Sequence, residues 1–90
     1  MYKISYTERV EKDLIALKRN EPQSFKKVIK LFDELVEPPT TGTGKPKPLS
    51  GDRAGQWSRR ISDKHRLIYM IDNEKVVVLL LSAYGHYDDK

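Results

Sequence analysis

Residues 56–82 read QWSRRISDKHRLIYMIDNEKVVVLLLS, and this stretch decides the fold. Apolar or alternating segments within it are separated by short polar connections: the segments are residues 56–61, 65–71 and 75–82, and the connections are residues 62–64 and 72–74. Connections this short join neighbouring antiparallel strands, so the sequence predicts a three-stranded antiparallel meander. Because residues 76–81 are all apolar, we expect the third strand to be the central one, buried on both faces.

Upstream of the meander, the sequence predicts a strand followed by a first helix. Residues 2–6 alternate between apolar and polar side chains, which is the pattern of a strand with one buried face. Thr7 belongs to the residue types that cap helix N-termini. The helix after it has a narrow apolar stripe, formed by Val10, Leu14 and Leu17.

A second helix follows and completes a helical hairpin. Asn20 is suited to cap it, and Pro22 lies where its missing N–H costs nothing. Pro38 ends it, because a residue that precedes proline avoids helical angles. The predicted core positions of this helix are Phe25, Val28, Ile29, Phe32, Leu35 and Val36.

Residues 37–56 are predicted to form a loop, because four of the five prolines and four of the five glycines lie there. A loop of this length in a small domain is usually functional or disordered, and its prolines favour a rigid functional loop. The predicted fold is a single α+β domain over residues 1–90, with both helices on one face of the sheet. The other face and the proline-rich loop are expected to form a concave surface.

Composition limits the function classes. The chain has 90 residues, no cysteine and a formal net charge of +4, which suits a nucleic acid or an acidic protein as partner. No apolar run approaches the ~20 residues that span a bilayer, so we expect no membrane attachment and a cytoplasmic location. The two histidines do not form a metal-ligand constellation, and no Walker loop is present, so no cofactor is expected.

Basic side chains are concentrated on the first two strands of the meander and in the preceding loop: Lys45, Lys47, Arg59, Arg60 and Arg66. Arg59 and Arg60 are adjacent and so point to opposite faces, and antiparallel pairing brings them beside Arg66. Like charges that face each other across strands are unfavourable unless an anion lies between them. A phosphate or a carboxylate would supply that anion, although any one of these residues is also compatible with a solvated edge charge.

The C-terminal segment adds a candidate acid. His86 is the residue type best suited to proton transfer near neutral pH. Either the tail is disordered, or His86 lies at the end of the sheet near Arg66, because the apolar strand ends only a few residues earlier. We interpret His65 as structural or solvent-facing and Trp57 as a core or loop-anchoring aromatic. These residues indicate metal-independent phosphodiester chemistry, with a base, an arginine and an acid.

Four motifs carry a resemblance to a known family: Gly44-Lys45-Pro46-x-Pro48-Leu49, Trp57-Ser58-Arg59-Arg60-Ile61, His65-Arg66-Leu67-Ile68-Tyr69 and His86-Tyr87. In order and spacing they resemble the YoeB/Txe branch of the RelE/ParE toxin superfamily, from the first strand to the tail. The resemblance implies a RelE-like, microbial-ribonuclease-like fold and cleavage of mRNA in the ribosomal A site. It also implies inhibition by an acidic YefM/Phd-type antitoxin. The toxin would then contact operator DNA only through its complex with the antitoxin, and a homodimer remains an open alternative.

The resemblance also implies roles for individual residues. Arg66 resembles the arginine that stabilises the transition state, His86 the general acid, and Tyr87 the aromatic that orients the scissile nucleotide. Arg59 and Arg60 resemble residues that bind the RNA backbone.

One position departs from the family pattern. Between the two prolines the family has a glutamate, proposed as the general base, and this chain has Lys47. Lys47 is assigned as a base that acts when neutral, since RelE also works with lysines, and the neighbouring Lys45 is assigned to substrate binding. Alternatively, Lys47 only binds phosphate while Asp52 or Asp63 replaces the glutamate, or the chain is a weak or inactive variant.

Three functions therefore follow from the sequence. The first is a ribosome-dependent mRNA endonuclease. The second is a non-catalytic domain that binds antitoxin or RNA and takes part in operon autoregulation. The third is a ParE-like poison of DNA gyrase, against which the His86-Tyr87 tail and the segment around Trp57 argue.

Overall fold

The computed structural model describes residues 2–36, 42, 44, 46–75 and 77–84. Its elements, in chain order, are β1 (Lys3–Tyr6), α1 (Glu8–Asn20), α2 (Pro22–Leu35), β2 (Lys47–Pro48), a 3₁₀ helix (Gly51–Arg53), β3 (Gln56–Arg60), β4 (Arg66–Asp72) and β5 (Val77–Ser82). The α+β class, the first strand, the helical hairpin and the three-stranded meander are confirmed. Four of the six ends of the meander strands differ from the predicted ends by one or two residues, and the start of β3 and the end of β5 coincide with them.

The five strands form one sheet in the order β1-β5-β4-β3-β2. β1 pairs with β5 in parallel, and the other neighbours are antiparallel. β5 lies inside the sheet, between β1 and β4, while the middle strand of the five is β4. The first and the last of the strands that the structure describes are therefore hydrogen-bonded neighbours.

The helix boundaries follow local capping chemistry. Thr7 caps α1 as predicted, and its Oγ1 accepts a hydrogen bond from the backbone N–H of Val10 at 3.2 Å. Pro22 is the first residue of α2, but the N-cap is Glu21 rather than the predicted Asn20, which is the last residue of α1. The prediction was wrong by one residue because α1 continues through the polar residues before the proline. No helix in the described part of the chain is long and apolar enough to cross a membrane.

The core lies between the helices and one face of the sheet. Its buried members are Val10, Leu17, Val28, Leu31, Leu35, Ile61, Leu67, Tyr69, Val78, Leu80 and Ala83. Ile29 was predicted to be in the core but is 43% exposed, whereas Leu31 is fully buried. Residues 28, 31 and 35 lie on one stripe of the helix, and Ile29 is turned away from that stripe.

The proline-rich segment contains more regular structure than the sequence indicates. β2 pairs with β3, so that Lys47 is opposite Ser58 and Pro48 is opposite Trp57. The 3₁₀ helix follows, and the backbone N–H of Leu49 donates to the carbonyl of Gln56 at 2.9 Å. A two-residue strand has no periodicity of its own, and it is recognisable only by its partner.

The sheet face opposite the helices is called the open face here; strand alternation assigns it Ser58, Arg60, Arg66, Met70 and Leu79. One half of it is basic and the other half is apolar. Met70 in the apolar half is 41% exposed, and it pairs with Leu79 on β5.

Candidate nucleic-acid interface

Three basic side chains share the basic half of the open face. Lys47 is opposite Ser58, and Arg60, two residues further along β3, is opposite Arg66. Directly opposite residues have Cβ atoms about 5 Å apart and diagonal ones about 7–8 Å apart, so long side chains reach one another. We call Lys47, Arg60 and Arg66 the basic triangle.

The floor of the basic triangle is formed by short or apolar side chains. Ser58 is 4% exposed and Ile68, its partner on β4, is 1% exposed. Solvent hardly reaches either side chain, so a ligand on this face would meet the three cations and not these two residues.

Arg60 lies on the open surface at the end of β3. Its guanidinium contacts the carboxylate of Asp63 in the following turn. Its backbone N–H donates to the carbonyl of Gly44 at 2.7 Å, which ties the strand to the proline-rich segment. Asp63, one of the two proposed substitutes for the family's glutamate, is therefore paired with Arg60. The other proposed substitute, Asp52, is exposed in the 3₁₀ helix.

Arg66 is half-buried, and its orientation is set by backbone carbonyls. Nη1 donates to the carbonyl of Ser62 at 2.6 Å and to that of His65 at 3.2 Å. Among the described residues, no acceptor is bonded to Nε or Nη2 of Arg66, so the guanidinium keeps donors for a ligand. The turn between β3 and β4 therefore orients this arginine before any ligand arrives.

Lys47 is exposed on β2 and forms no ion pair with any residue that the structure describes. It stands diagonally across from Arg60, at the edge of the basic triangle. Its ammonium group is thus available to a ligand on the open face.

Arg59 does not belong to this site. Its side chain is fully buried on the helix side of the sheet, with Nη1 3.2 Å from Glu34 Oε1 and Nε 3.1 Å from the Tyr69 hydroxyl. The predicted role in binding the RNA backbone is not compatible with this burial, because the guanidinium has no exposed surface. Burial raises the pKa of Tyr69, while the hydrogen bond and the charge of Arg59 partly oppose that shift.

His65 is structural, as one of the two interpretations of the sequence held. It is 3% exposed, and its Nε2 contacts the carboxylate of Glu21 at the start of α2. The His65 ring packs against Tyr84, with centroids 4.3 Å apart. Trp57 is likewise packed against the core, as predicted.

The end of β5 is anchored by a residue that the sequence analysis missed. Asp13 of α1 is buried, and its Oδ2 accepts a hydrogen bond from the backbone N–H of Ala83 at 2.9 Å. Arg9 donates to both Asp13 oxygens at 3.1 Å and to the carbonyl of Tyr84 at 3.4 Å. The available signal was an acidic residue inside the apolar stripe of α1, four residues after an arginine.

Three predicted site residues, Lys45, His86 and Tyr87, lie outside the described residues. Within the described part of the chain, no group of three or more His, Cys, Asp or Glu side chains is arranged to hold a metal ion.

Comparison with known proteins gives the family. The family model described as YoeB-like toxin of bacterial type II toxin–antitoxin system matches residues 6–87. The chain belongs to the YoeB toxin family. The toxin YoeB of Streptomyces coelicolor is 34% identical over 85 residues, covering 94% of this chain and 99% of that toxin.

Solved YoeB structures share the fold. A YoeB/ParE toxin from Agrobacterium tumefaciens matches with a TM-score of 0.88 and 32% identity, over 94% of this chain and 99% of that one. The YoeB chain of a heterotetrameric YoeB–YefM toxin–antitoxin complex from Staphylococcus aureus matches with a TM-score of 0.81 and 27% identity, over 97% and 99%. This chain is thus a YoeB-type toxin of a type II toxin–antitoxin system.

Proposed function

We propose that this YoeB-family toxin is an endoribonuclease that cuts mRNA in the ribosomal A site by acid–base catalysis. The observation that carries the proposal is the basic triangle, in which the register brings Lys47, Arg60 and Arg66 onto one open face. Family membership supports the ribosome-bound mRNA as the substrate.

Arg60 and Arg66 bind the scissile phosphate and its neighbour. Arg66 is held by the carbonyls of Ser62 and His65 while Nε and Nη2 face no acceptor among the described residues. A guanidinium fixed in this way stabilises the charge of the pentacovalent phosphate without having to reorganise during the reaction. Arg60, more exposed, contributes the longer-range attraction for the RNA backbone.

Proton transfer is assigned to Lys47 and His86. Lys47 is assigned as the base that takes the proton of the ribose 2′-hydroxyl, and that oxygen attacks the adjacent phosphorus. The bond from phosphorus to the 5′-oxygen breaks, and His86 protonates the leaving oxygen. Tyr87 orients the scissile nucleotide, and the RNA fragment that keeps the phosphate ends in a 2′,3′-cyclic phosphate.

An acidic YefM-type antitoxin is the proposed inhibitor. The open face offers both kinds of contact that such a partner needs, because the basic triangle lies beside the apolar half that contains Met70 and Leu79. The S. aureus YoeB–YefM complex and the S. aureus YoeB dimer support an antitoxin partner and a homodimer for this toxin. Operator DNA is bound through the antitoxin complex.

Primer extension on a defined mRNA in a purified translation system tests the nuclease. We expect wild-type toxin to cut at the A-site codon, and His86→Ala and Lys47→Ala each to lower the cleavage rate by ~10²-fold or more. Lys47→Glu, which installs the family's carboxylate, should retain cleavage. Lys12→Ala, a substitution of an exposed lysine on α1, is the matched control and should cut as wild type does.

Lys47 also favours a second candidate, a toxin fold that binds antitoxin or RNA without catalysis. The position of the family's proposed base holds a cation in this chain. Absence of cleavage by wild-type toxin on translating ribosomes, together with tight antitoxin binding, would favour this second function. Cleavage that survives in both His86→Ala and Arg66→Ala would show that the assigned residues are not the catalytic ones.

A further inference from the structure

Arg59 carries a charge into the core and is paired there. Its guanidinium has no exposed surface and contacts Glu34, near the end of α2, and Tyr69, in the middle strand of the sheet. Burying a charge is unfavourable unless it is paired, and an apolar side chain of the same volume would fill the site without that cost. The ion pair therefore points to a requirement other than packing.

Gly42 and Gly44, which precede β2 and are here called the glycine segment, lie beside this ion pair and the end of β3. A Cβ on Gly42 would collide with the Glu34 carboxylate and would lie 3.1 Å from Arg59 Nη1. Gly44 accepts the hydrogen bond from the Arg60 N–H, and a Cβ on Gly44 would lie 2.8 Å from the Arg60 carbonyl oxygen. Both glycines have positive φ angles, 112° and 85°, which other residues rarely adopt.

We propose that Glu34 and Arg59 are positioning residues for Lys47. They hold the glycine segment so that the chain enters β2 in the register that puts Lys47 on the open face. A slip of one residue would turn that lysine to the opposite face of the sheet. The proposal rests on the proposed nuclease function for its catalytic consequence, but the positioning itself is measurable without activity.

The test uses the double variant Glu34→Leu with Arg59→Met, which removes both charges and keeps the core filled. Its folding is checked by denaturant unfolding. Amide hydrogen exchange then follows the Arg60 N–H, which is bonded to Gly44. We expect its protection to fall by ~tenfold or more, because the glycine segment has lost its support.

Cleavage on the ribosome is measured for the same double variant. We expect the rate at saturating mRNA to fall by ~10- to 100-fold with KM changed by less than about twofold, as displacement of a catalytic group predicts. The salt slope of RNA binding should fall no further than it does in Lys47→Ala, because Arg59 itself is buried away from the open face. Arg60→Met is the matched control, and it should lower the salt slope by about 1.

A second variant keeps the test decisive if the double variant does not fold. Arg59→Lys retains the charge but replaces the planar fork with a compact ammonium that does not reach both partners. It should show the same loss of protection at the Arg60 amide.

Two results would overturn the proposal. One is unchanged exchange of the Arg60 amide in a folded variant, and the other is a drop in salt slope larger than that of Lys47→Ala. If wild-type toxin does not cleave, the nuclease function fails, while the exchange measurement still decides whether the ion pair positions the segment.

Discussion

Arg59 and Arg60 are consecutive arginines with opposite surroundings. Strand alternation made their different directions predictable, and the pairing of Arg60 with Arg66 was predicted correctly from the short turn between the strands. Which arginine points into the core was not predictable from these residues alone. It depends on Glu34 of α2, a distant residue whose carboxylate meets Arg59 only in the folded chain.

Tyr69 gives a prediction about alkaline pH. Burial raises its pKa, so the native state keeps a proton that unfolded tyrosine loses near its ordinary pKa of about 10. The stability that the neutral hydroxyl contributes is therefore fully present below the pKa of unfolded tyrosine. It is lost as the pH rises from that pKa through the higher pKa of the folded state. Tyr69→Phe lacks this group and leaves Arg59 Nε without its hydroxyl acceptor.

We expect Tyr69→Phe to be about 1–3 kcal/mol less stable than wild type near pH 8, and the gap to narrow towards pH 11. Urea unfolding of both proteins across this range measures the gap. A gap that stays constant would contradict the assigned direction of the pKa shift.

At the scale of elements, α1 holds the end of β5 as well as packing on the sheet. The helix itself was predictable from its apolar spacing and from Thr7. The inward carboxylate of Asp13 was not, because its partner Ala83 lies at the other end of the chain. β2 was missed for a similar reason, since a two-residue strand is defined by its pairing with β3.

Asp13→Ala is predicted to destabilise the protein. The substitution leaves the buried N–H of Ala83 without an acceptor, which costs about 1–3 kcal/mol of unfolding free energy. Glu8→Ala on the same helix is the control, because that carboxylate is 84% exposed and the change should cost about 0.5 kcal/mol or less. Equal losses in the two variants, measured by urea unfolding, would show that the Asp13 contact is not specific.

At the scale of the whole molecule, the sequence predicted most of the strands but not the order in which they pair in the sheet. The meander was predictable because its strands are joined by short turns. The position of β1 in the sheet was not predictable, because its parallel partner β5 lies nearly the whole chain away in sequence. The basic triangle shows the same division: Arg60 and Arg66 are joined by a local turn, while Lys47 reaches them through β2.

A chain that ends at residue 72 is predicted not to fold. It lacks β5, which pairs with both β1 and β4 and supplies the fully buried Val78 and Leu80. A chain that ends at residue 84 keeps these contacts and should unfold cooperatively. Far-ultraviolet circular dichroism with urea titration compares them, and a cooperative transition in the shorter chain would contradict the prediction.

The parallel pairing of β1 with β5 also determines when the sheet can be completed during translation. Synthesis produces β1 before the other described elements, yet its hydrogen-bonding partner β5 is produced after all the other described strands. The three residues of the basic triangle are synthesised before β5, but until β5 joins, the sheet that supports them lacks an interior strand. The ribosome has therefore synthesised β1, both helices and β2 to β4 before the nascent chain can form the five-stranded sheet.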